Sequence, residues 1–266
     1  MNYATIALRA SKASMLQNLS ILSPAPVFAA IMAMHALDKR IPGGLDIQGV
    51  GLIHQNAQPW IEHLEDKGYV ENAIVQRRGA VLFDSASDPS ANPMQPMALA
   101  DLEWTILLAC DRAVEPAAIE TALLTMRFAG GVIDARYTRV RCFDDMKAAL
   151  RRVRSGFWID DASDLLVGPG DPMAALLQAQ RSAPWMIPAN LGYALLESPV
   201  DRKGAREALP HAFAEHMIGL LRYTPMHQVR DTISLDTLWR YGWDADQFLV
   251  TNRPGVSLSD ACSSSI

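Results

Sequence analysis

The chain has 266 residues, 50% of them hydrophobic and 20% charged, with a formal net charge of −5. This composition excludes a disordered polypeptide and allows a substantial core, while the acidic balance excludes a freestanding, uniformly basic nucleic-acid binder. The three cysteines, Cys110, Cys142 and Cys262, are too widely spaced for a disulfide framework or a paired zinc site and fit a reducing, cytoplasmic compartment.

In chain order, residues 3–10 alternate apolar and polar positions and are expected to form a strand, with Arg9 on its polar face. Residues 11–22, carrying Lys12 and Asn18, are expected to be a polar loop. Ser23-Pro24 is an N-cap followed by an N1 proline and starts a helix that runs to about Arg40. Its apolar run, 21–37, is short for a membrane span and is stopped by Asp38-Lys39-Arg40, so a buried helix is expected. Leu45 to Gln55 reads as a second strand. Residues 56–98 break the pattern and are expected to be a long insertion, with room for a helix and a hairpin, and with Arg77-Arg78 exposed at a basic tip. Residues 99–110 read as a third strand, 116–128 as a second helix and 131–141 as a fourth strand. The sequence Arg127-Phe128-Ala129-Gly130-Gly131 then joins helix to strand. Its glycines permit left-handed backbone and bare main-chain N–H groups. Beyond it, residues 144–154 read as a basic helix, and 157–159 as a strand. Residues 172–181 read as a helix, 183–198 as two short strands around Asn190 and Gly192, 206–223 and 234–242 as further helices.

The order strand, helix, strand, insertion, strand, helix, strand is that of the ferredoxin-like, RRM-type βαββαβ unit, an α+β fold. The expected division is a ferredoxin-like RNA-binding domain over 1–143, with a thumb-like insertion at 56–98. A mixed, mainly helical C-terminal region over 144–266 packs on it and on partner subunits.

Catalytic chemistry is not evident. His211, Glu215 and His216 would place the histidines about 140° apart on a helix, not on one face. Asp160, Asp161 and Asp164 read as caps and solvated loop, and no nucleophile elbow, phosphate loop or dinucleotide fingerprint is present. No catalytic residue, metal or cofactor is therefore expected. Basic groups carry more information: Arg136, Arg139, Arg141, Lys147, Arg151, Arg152 and Arg154 crowd positions 136–154 of an acidic chain. Tyr137, Phe143 and Tyr193 are candidates for stacking on bases.

Four blocks carry a family resemblance. They are Ser23-Pro24 through Leu37-Asp38-Lys39-Arg40 with Leu45-Asp46-Ile47-Gln48-Gly49-Val50-Gly51; Arg127-Phe128-Ala129-Gly130-Gly131-Val132-Ile133; Trp185-Met186-Ile187-Pro188 with Gly192-Tyr193 and Ser198-Pro199; and Phe213 to Leu221 with Leu238-Trp239-Arg240-Tyr241. Together they resemble the second Csy subunit, the Cas-five-type protein of type I-F CRISPR surveillance complexes, in family order over most of the chain. The chain is shorter than typical members and lacks a glycine at the start of helix one, which fits a compact type I-F variant or a related type IV complex. The resemblance implies a non-catalytic subunit of an antiviral ribonucleoprotein, capping the 5′ handle of the CRISPR RNA. It would pack against the large subunit and the Cas-seven-type backbone subunit. Contact with target DNA near the adjacent motif is left open, and no membrane is involved. The RNA-binding residues expected are Arg9, Lys12, Asn18, Arg77, Arg78, Arg127, Gly130, Gly131, Arg136, Arg139 and Tyr193. Two other readings stay open on the same fold: an RNA-processing endonuclease or other enzyme, with His54 and Tyr193 the positions to change, and a purely structural adaptor.

Overall fold

The computed structural model describes residues 1–18, 21–66, 69–79, 94–168, 170–183, 185–204 and 209–259. The amino-terminal strand β1 (Asn2–Ser14) is followed by α1 (Val27–Arg40) and β2 (Ile47–Pro59). Two hairpins, β3 (Glu62–Asp66) with β4 (Tyr69–Ala73) and β5 (Gln76–Gly79) with β6 (Met94–Met97), precede β7 (Leu99–Cys110). Then come α2 (Pro116–Leu124), β8 (Arg127–Phe128), β9 (Gly131–Ile133), β10 (Arg139–Phe143) and α3 (Met146–Arg151). The remainder is β11 (Phe157–Asp161), α4 (Pro172–Ser182), β12 (Met186–Leu195), β13 (Ala214–Pro225), α5 (Met226–Val229), β14 (Arg240–Asp244) and β15 (Gln247–Thr251).

Among the described residues, eleven strands form one sheet in the order β14-β15-β12-β13-β11-β2-β7-β1-β9-β8, with β10 also pairing β1. Every pairing in it is antiparallel. The sheet curls around α1, which touches β2, β8, β12 and β15. Alternation places Ala4, Ile6 and Leu8 of β1 and Leu102, Trp104, Ile106 and Leu108 of β7 on this inner face, with Val27, Ile31, Met34 and Leu37 of α1. A second core on the outer face joins Ile53, Leu107 and Ala109 to α3 and Trp158. It covers only one end of that face.

The architecture corrects the expectation of a ferredoxin-like, RRM-type βαββαβ fold with a mainly helical C-terminal region. The sheet does not stop at four strands, because β2 pairs on its far side with β11 through Phe157↔His54 and Trp158↔Ile53. The C-terminal region then adds β12 to β15, and the sheet is continuous across residue 143. Where a helix was expected over 206–223, residues 214–223 belong to β13, which is bounded by Pro225 and buried at Leu220, Leu221 and Tyr223; residues 206–208 lie outside the described residues. An apolar run of that length satisfies either period, and pairing with both β11 and β12 decides it. The helix expected over 234–242 is a 3-10 turn, Leu235–Thr237, followed by β14. Its Trp239 exchanges backbone hydrogen bonds with Val50 at 2.9 and 2.8 Å, which leaves no helical partner for either.

Smaller differences reposition the site. β1 extends through the expected loop to Ser14, the second helix ends at Leu124, and the fourth strand is divided into β9 and β10. Among its described residues, the 183–198 segment holds a single strand, β12, with a register shift at Asn190/Gly192. The described part of the insertion is hairpins rather than a helix. Among the described residues, no helix is long and apolar enough to cross a membrane.

Candidate nucleic-acid interface

Beyond the reach of α3, the outer face of β1, β7 and β2 carries a hollow over Thr5, Ala7 and Thr105, of which Thr5 and Thr105 are only 7% and 6% exposed. Cross-strand partners share a face, so the register Thr5↔Arg141 and Ala7↔Arg139 sets two arginines of β10 beside Thr5 and Ala7. Thr5 also pairs with Leu107 and Ala7 with Thr105, whose hydroxyl accepts a 2.5 Å hydrogen bond from Gln55. The floor is thus small and polar. The opposite wall follows α3: Val153 is buried and its carbonyl accepts from Arg230 at 2.7 Å, so Arg152 and Arg154 on either side of it face outward. The result is a groove of about 310 Å³ lined by Arg139, Arg141, Arg152 and Arg154. Arg139 donates to the Thr138 carbonyl. Among the described residues, none of the four arginines forms an ion pair. Four permanent like charges around one hollow repel one another, and an entering anion relieves that repulsion.

A second cluster lies where β1 ends. Here β1 bulges between Ala10 and Ala13, with Lys12 at φ 58°. The bulge lets Ala10 and Ser11 pair with Ile133 and Val132 of β9. The glycine pair expected to join helix to strand belongs instead to a two-residue hairpin between β8 and β9. Ala129 and Gly130 both have positive φ, 49° and 79°, as a type I′ turn requires. Gly131 is small for another reason: a Cβ there would lie 2.8 Å from both the Ala13 nitrogen and the Ser11 oxygen. The turn is tied to β1 by a hydrogen bond from the Ser14 N–H to the Ala129 carbonyl, 2.8 Å.

This geometry gathers Arg9, Lys12, Arg127, the Ala129-Gly130 turn and Arg136 from three segments. Two exposed aromatic rings join them. Tyr137, 53% exposed, lies under the Arg9 guanidinium at 5.0 Å, with Arg136 at 5.9 Å. Trp60, 40% exposed, lies under the Lys12 ammonium at 4.8 Å. Three carboxylates position these groups. Glu103 pairs with Arg9 at 3.1 Å, Asp134 accepts two hydrogen bonds from the Arg136 guanidinium and one from its backbone N–H, and Asp101 accepts from the Lys12 backbone N–H and Trp60 Nε1. Burial pushes the Asp101 carboxyl upward, but hydrogen bonds from Trp60, Lys12 and Ser11 outweigh it and hold the group below its ordinary value. Hydrogen bonding to Arg136 does the same for Asp134. Charge at this end is close to balanced, whereas the groove's is not.

No protein-family model and no curated protein matches the chain. The residues therefore speak for themselves. Of those expected to bind RNA, Arg139 lines the groove, and Arg9, Lys12, Arg127, Gly130, Gly131 and Arg136 share the β1 end. Asn18 accepts the Ile21 N–H at 2.7 Å and shapes the loop after β1. Tyr193 sits on the other side of the hairpin, in a cavity shared with Ala129 and Phe28, its ring 5.1 Å from Phe28 and 4.8 Å from His216. Arg77 and Arg78 hold backbone register with Pro96 and Gln95; their side chains lie outside the described residues. Phe143 packs against the outer-face core. Arg141, Arg152 and Arg154 stood out in the sequence only as local charge. Their convergence with Arg139 depends on α3 folding back over the sheet, which no local pattern encodes. Trp60 gave no signal, being 48 positions from Lys12.

The groups considered for catalysis lie elsewhere. His54 is buried between Trp104 and Tyr223, with its Nδ1 3.0 Å from the Tyr223 hydroxyl. Burial lowers its imidazole below the ordinary value. His211 makes a backbone bridge to Val200 and His216 lies on β13, so neither is helical. Asp161 pairs with Arg253 at 3.1 Å, and Asp160 accepts from Trp158 Nε1 and Asn252. Among the described residues, no three potential metal ligands converge. Burial pushes the Cys110 thiol up to about 12, which keeps it protonated.

Proposed function

We propose that this protein is an RNA-binding subunit of a CRISPR-type surveillance complex, and that it caps the guide by holding its 5′ handle without cleaving it. The observation that carries the reading is the groove of Arg139, Arg141, Arg152 and Arg154 on the outer sheet face. Arginine forks match phosphate oxygens and stay charged at any physiological pH. The small floor of Thr5, Ala7 and Thr105 lets a backbone approach the sheet closely. In a chain of net charge −5 this excess is local, which suits a subunit that shares its RNA with partners. The reading of that RNA as a guide's 5′ handle rests on the four sequence blocks that resemble Cas-five-type subunits.

The test is to purify the protein from cells that express it together with its neighbouring subunits, extract the RNA and sequence its 5′ ends. A single population sharing one short 5′ sequence is expected. Protein free of RNA, or carrying RNA of random 5′ sequence, would sink the reading. A purely structural adaptor would also assemble unchanged when the arginines of the groove are reversed in charge, whereas the cap should lose its RNA.

A further inference from the structure

The groove and the β1 end lie on one continuous strip. Thr5, Ala7 and Arg9 alternate along the same face of β1. The arginines of β10 flank Thr5 and Ala7, and Tyr137 covers Arg9 one step further on. Lys12 and Trp60 close the strip beyond the bulge. From Thr5 to Lys12 the strip is roughly 20 Å long at about 3.3 Å per residue.

We infer that the outer face is a track for about three nucleotides of single-stranded RNA, with phosphates gripped in the arginine groove and bases stacked on Tyr137 and Trp60 at the β1 end. The inference rests on the reading that the ligand is RNA and names the form in which this site takes it. Three observations point to it. First, Arg139 and Arg141 repeat every second residue on one strand face, about 6.7 Å apart, a spacing comparable to that of neighbouring phosphates on an extended strand. At about twice the 3.4 Å rise of a stacked strand, as for splayed nucleotides, the strip's length fits about three nucleotides, and a fourth would reach past Lys12. Second, the groove is about 310 Å³, with Arg139 and Arg141 on one side and Arg152 and Arg154 on the other, a size suited to a single phosphodiester backbone. Third, among the described residues the groove is lined by no aromatic ring, whereas the exposed rings Tyr137 and Trp60 lie at the β1 end under Arg9 and Lys12. Phosphate binding and base stacking are therefore separated along the track. Each ring already carries a cation, which shows that its face suits a flat, positively polarised partner or a base. An incoming base displaces that cation toward the adjacent phosphate. Glu103, Asp101 and Asp134 then act as positioning residues, holding Arg9, Trp60 and Arg136 in place before RNA arrives.

The test uses the full chain and 5′-labelled oligoribonucleotides, read by fluorescence anisotropy over a range of salt. Arg152→Ser with Arg154→Ser should lower the slope of log affinity against log salt by about 1.4, since each single-strand phosphate contact contributes about 0.7. Tyr137→Leu or Trp60→Leu should weaken binding about five- to a hundredfold while leaving the slope unchanged, and Tyr137→Phe should bind like the wild type. A duplex of the same sequence should bind at least tenfold more weakly. Melting curves of each variant separate lost binding from lost folding, and Arg152 and Arg154 are exposed enough to leave folding intact. Unchanged slopes in the arginine variant, unchanged affinity in both aromatic variants, or equal affinity for duplex would each overturn the track. So would an acidic peptide that competes for the groove while RNA does not bind there. The 5′-end sequencing above is independent of these outcomes: RNA with a fixed 5′ sequence and unaltered groove variants would refute the track alone, and absence of any RNA would refute the functional reading.

Discussion

At the residue scale, Gly130 and Gly131 are neighbours with different duties. Gly130 needs its left-handed φ of 79° but faces open space. Gly130→Ala should therefore cost about 1 kcal/mol, the strain of an L side chain in that region. Gly131 has no room, because the nearest atoms are the backbone of β1. Gly131→Ala should cost about 3 kcal/mol and lift the hairpin off β1. Chemical denaturation of the two variants checks the order; equal losses would mean that the hairpin is not seated on β1 as described. His54 gives a second residue-scale outcome. Its folded-state pKa is lowered chiefly by burial, with the Asn56 backbone opposing. Its neutral form is therefore favoured in the fold, and stability is full above the unfolded value of about 6.5 and falls as pH drops below it. His35 shifts in the same direction, for the same first cause. His54→Gln should flatten part of the stability loss between about pH 7 and pH 5, measured by urea titration at each pH; an unchanged slope would assign the loss to other groups.

At the element scale, legibility followed period and length. Strand β7 and helix α1 were readable because their apolar positions repeat consistently with one structure, and α1 ends where Lys39 and Arg40 favour its C-terminus. β13 was not, since the run from Met217 to Leu221 suits a helix stripe and a doubly paired strand equally, and only pairing with β11 and β12 separates them. The β8–β9 hairpin was hidden for a different reason. Two- and three-residue strands have no period, and Ala129 in a left-handed turn is not a turn signal by composition. Part of the β1 end was legible in the sequence, since Arg9, Lys12, Arg127 and Arg136 were marked there, and Arg9 and Arg136 lie over the same Tyr137 ring. Tyr137 was marked as well, whereas Trp60 and the far wall of the groove depend on contacts across many residues. The hairpin β3–β4 forms its own two-stranded sheet, outside the large one. Replacing residues 63–72 by a Gly-Gly turn should leave the melting temperature within a few degrees, corresponding to less than about 1 kcal/mol. A large drop would show that this hairpin is part of the cooperative unit.

At the scale of the whole molecule, the sheet that crosses residue 143 makes the N-terminal strands dependent on the C-terminal ones. β2 loses β11 if the chain is cut there, and Val50 loses both hydrogen bonds to Trp239. A fragment of residues 1–143 should therefore not unfold cooperatively, whereas the full chain should do so in a single transition; a sharp melt of the fragment would contradict this. The same continuity fixes the outer face, since the strands that form its floor are braced on one side by β11 and on the other by β9 and β10. The most direct measurement of the central claim, that RNA lies along this face, is ultraviolet crosslinking of bound RNA followed by mass spectrometry of the crosslinked peptides. Crosslinks should map to Tyr137 and Trp60, and to peptides spanning 139–143 and 152–155. Crosslinks confined to α1, α4 or the Tyr193 side of the sheet would place the RNA elsewhere and contradict the account.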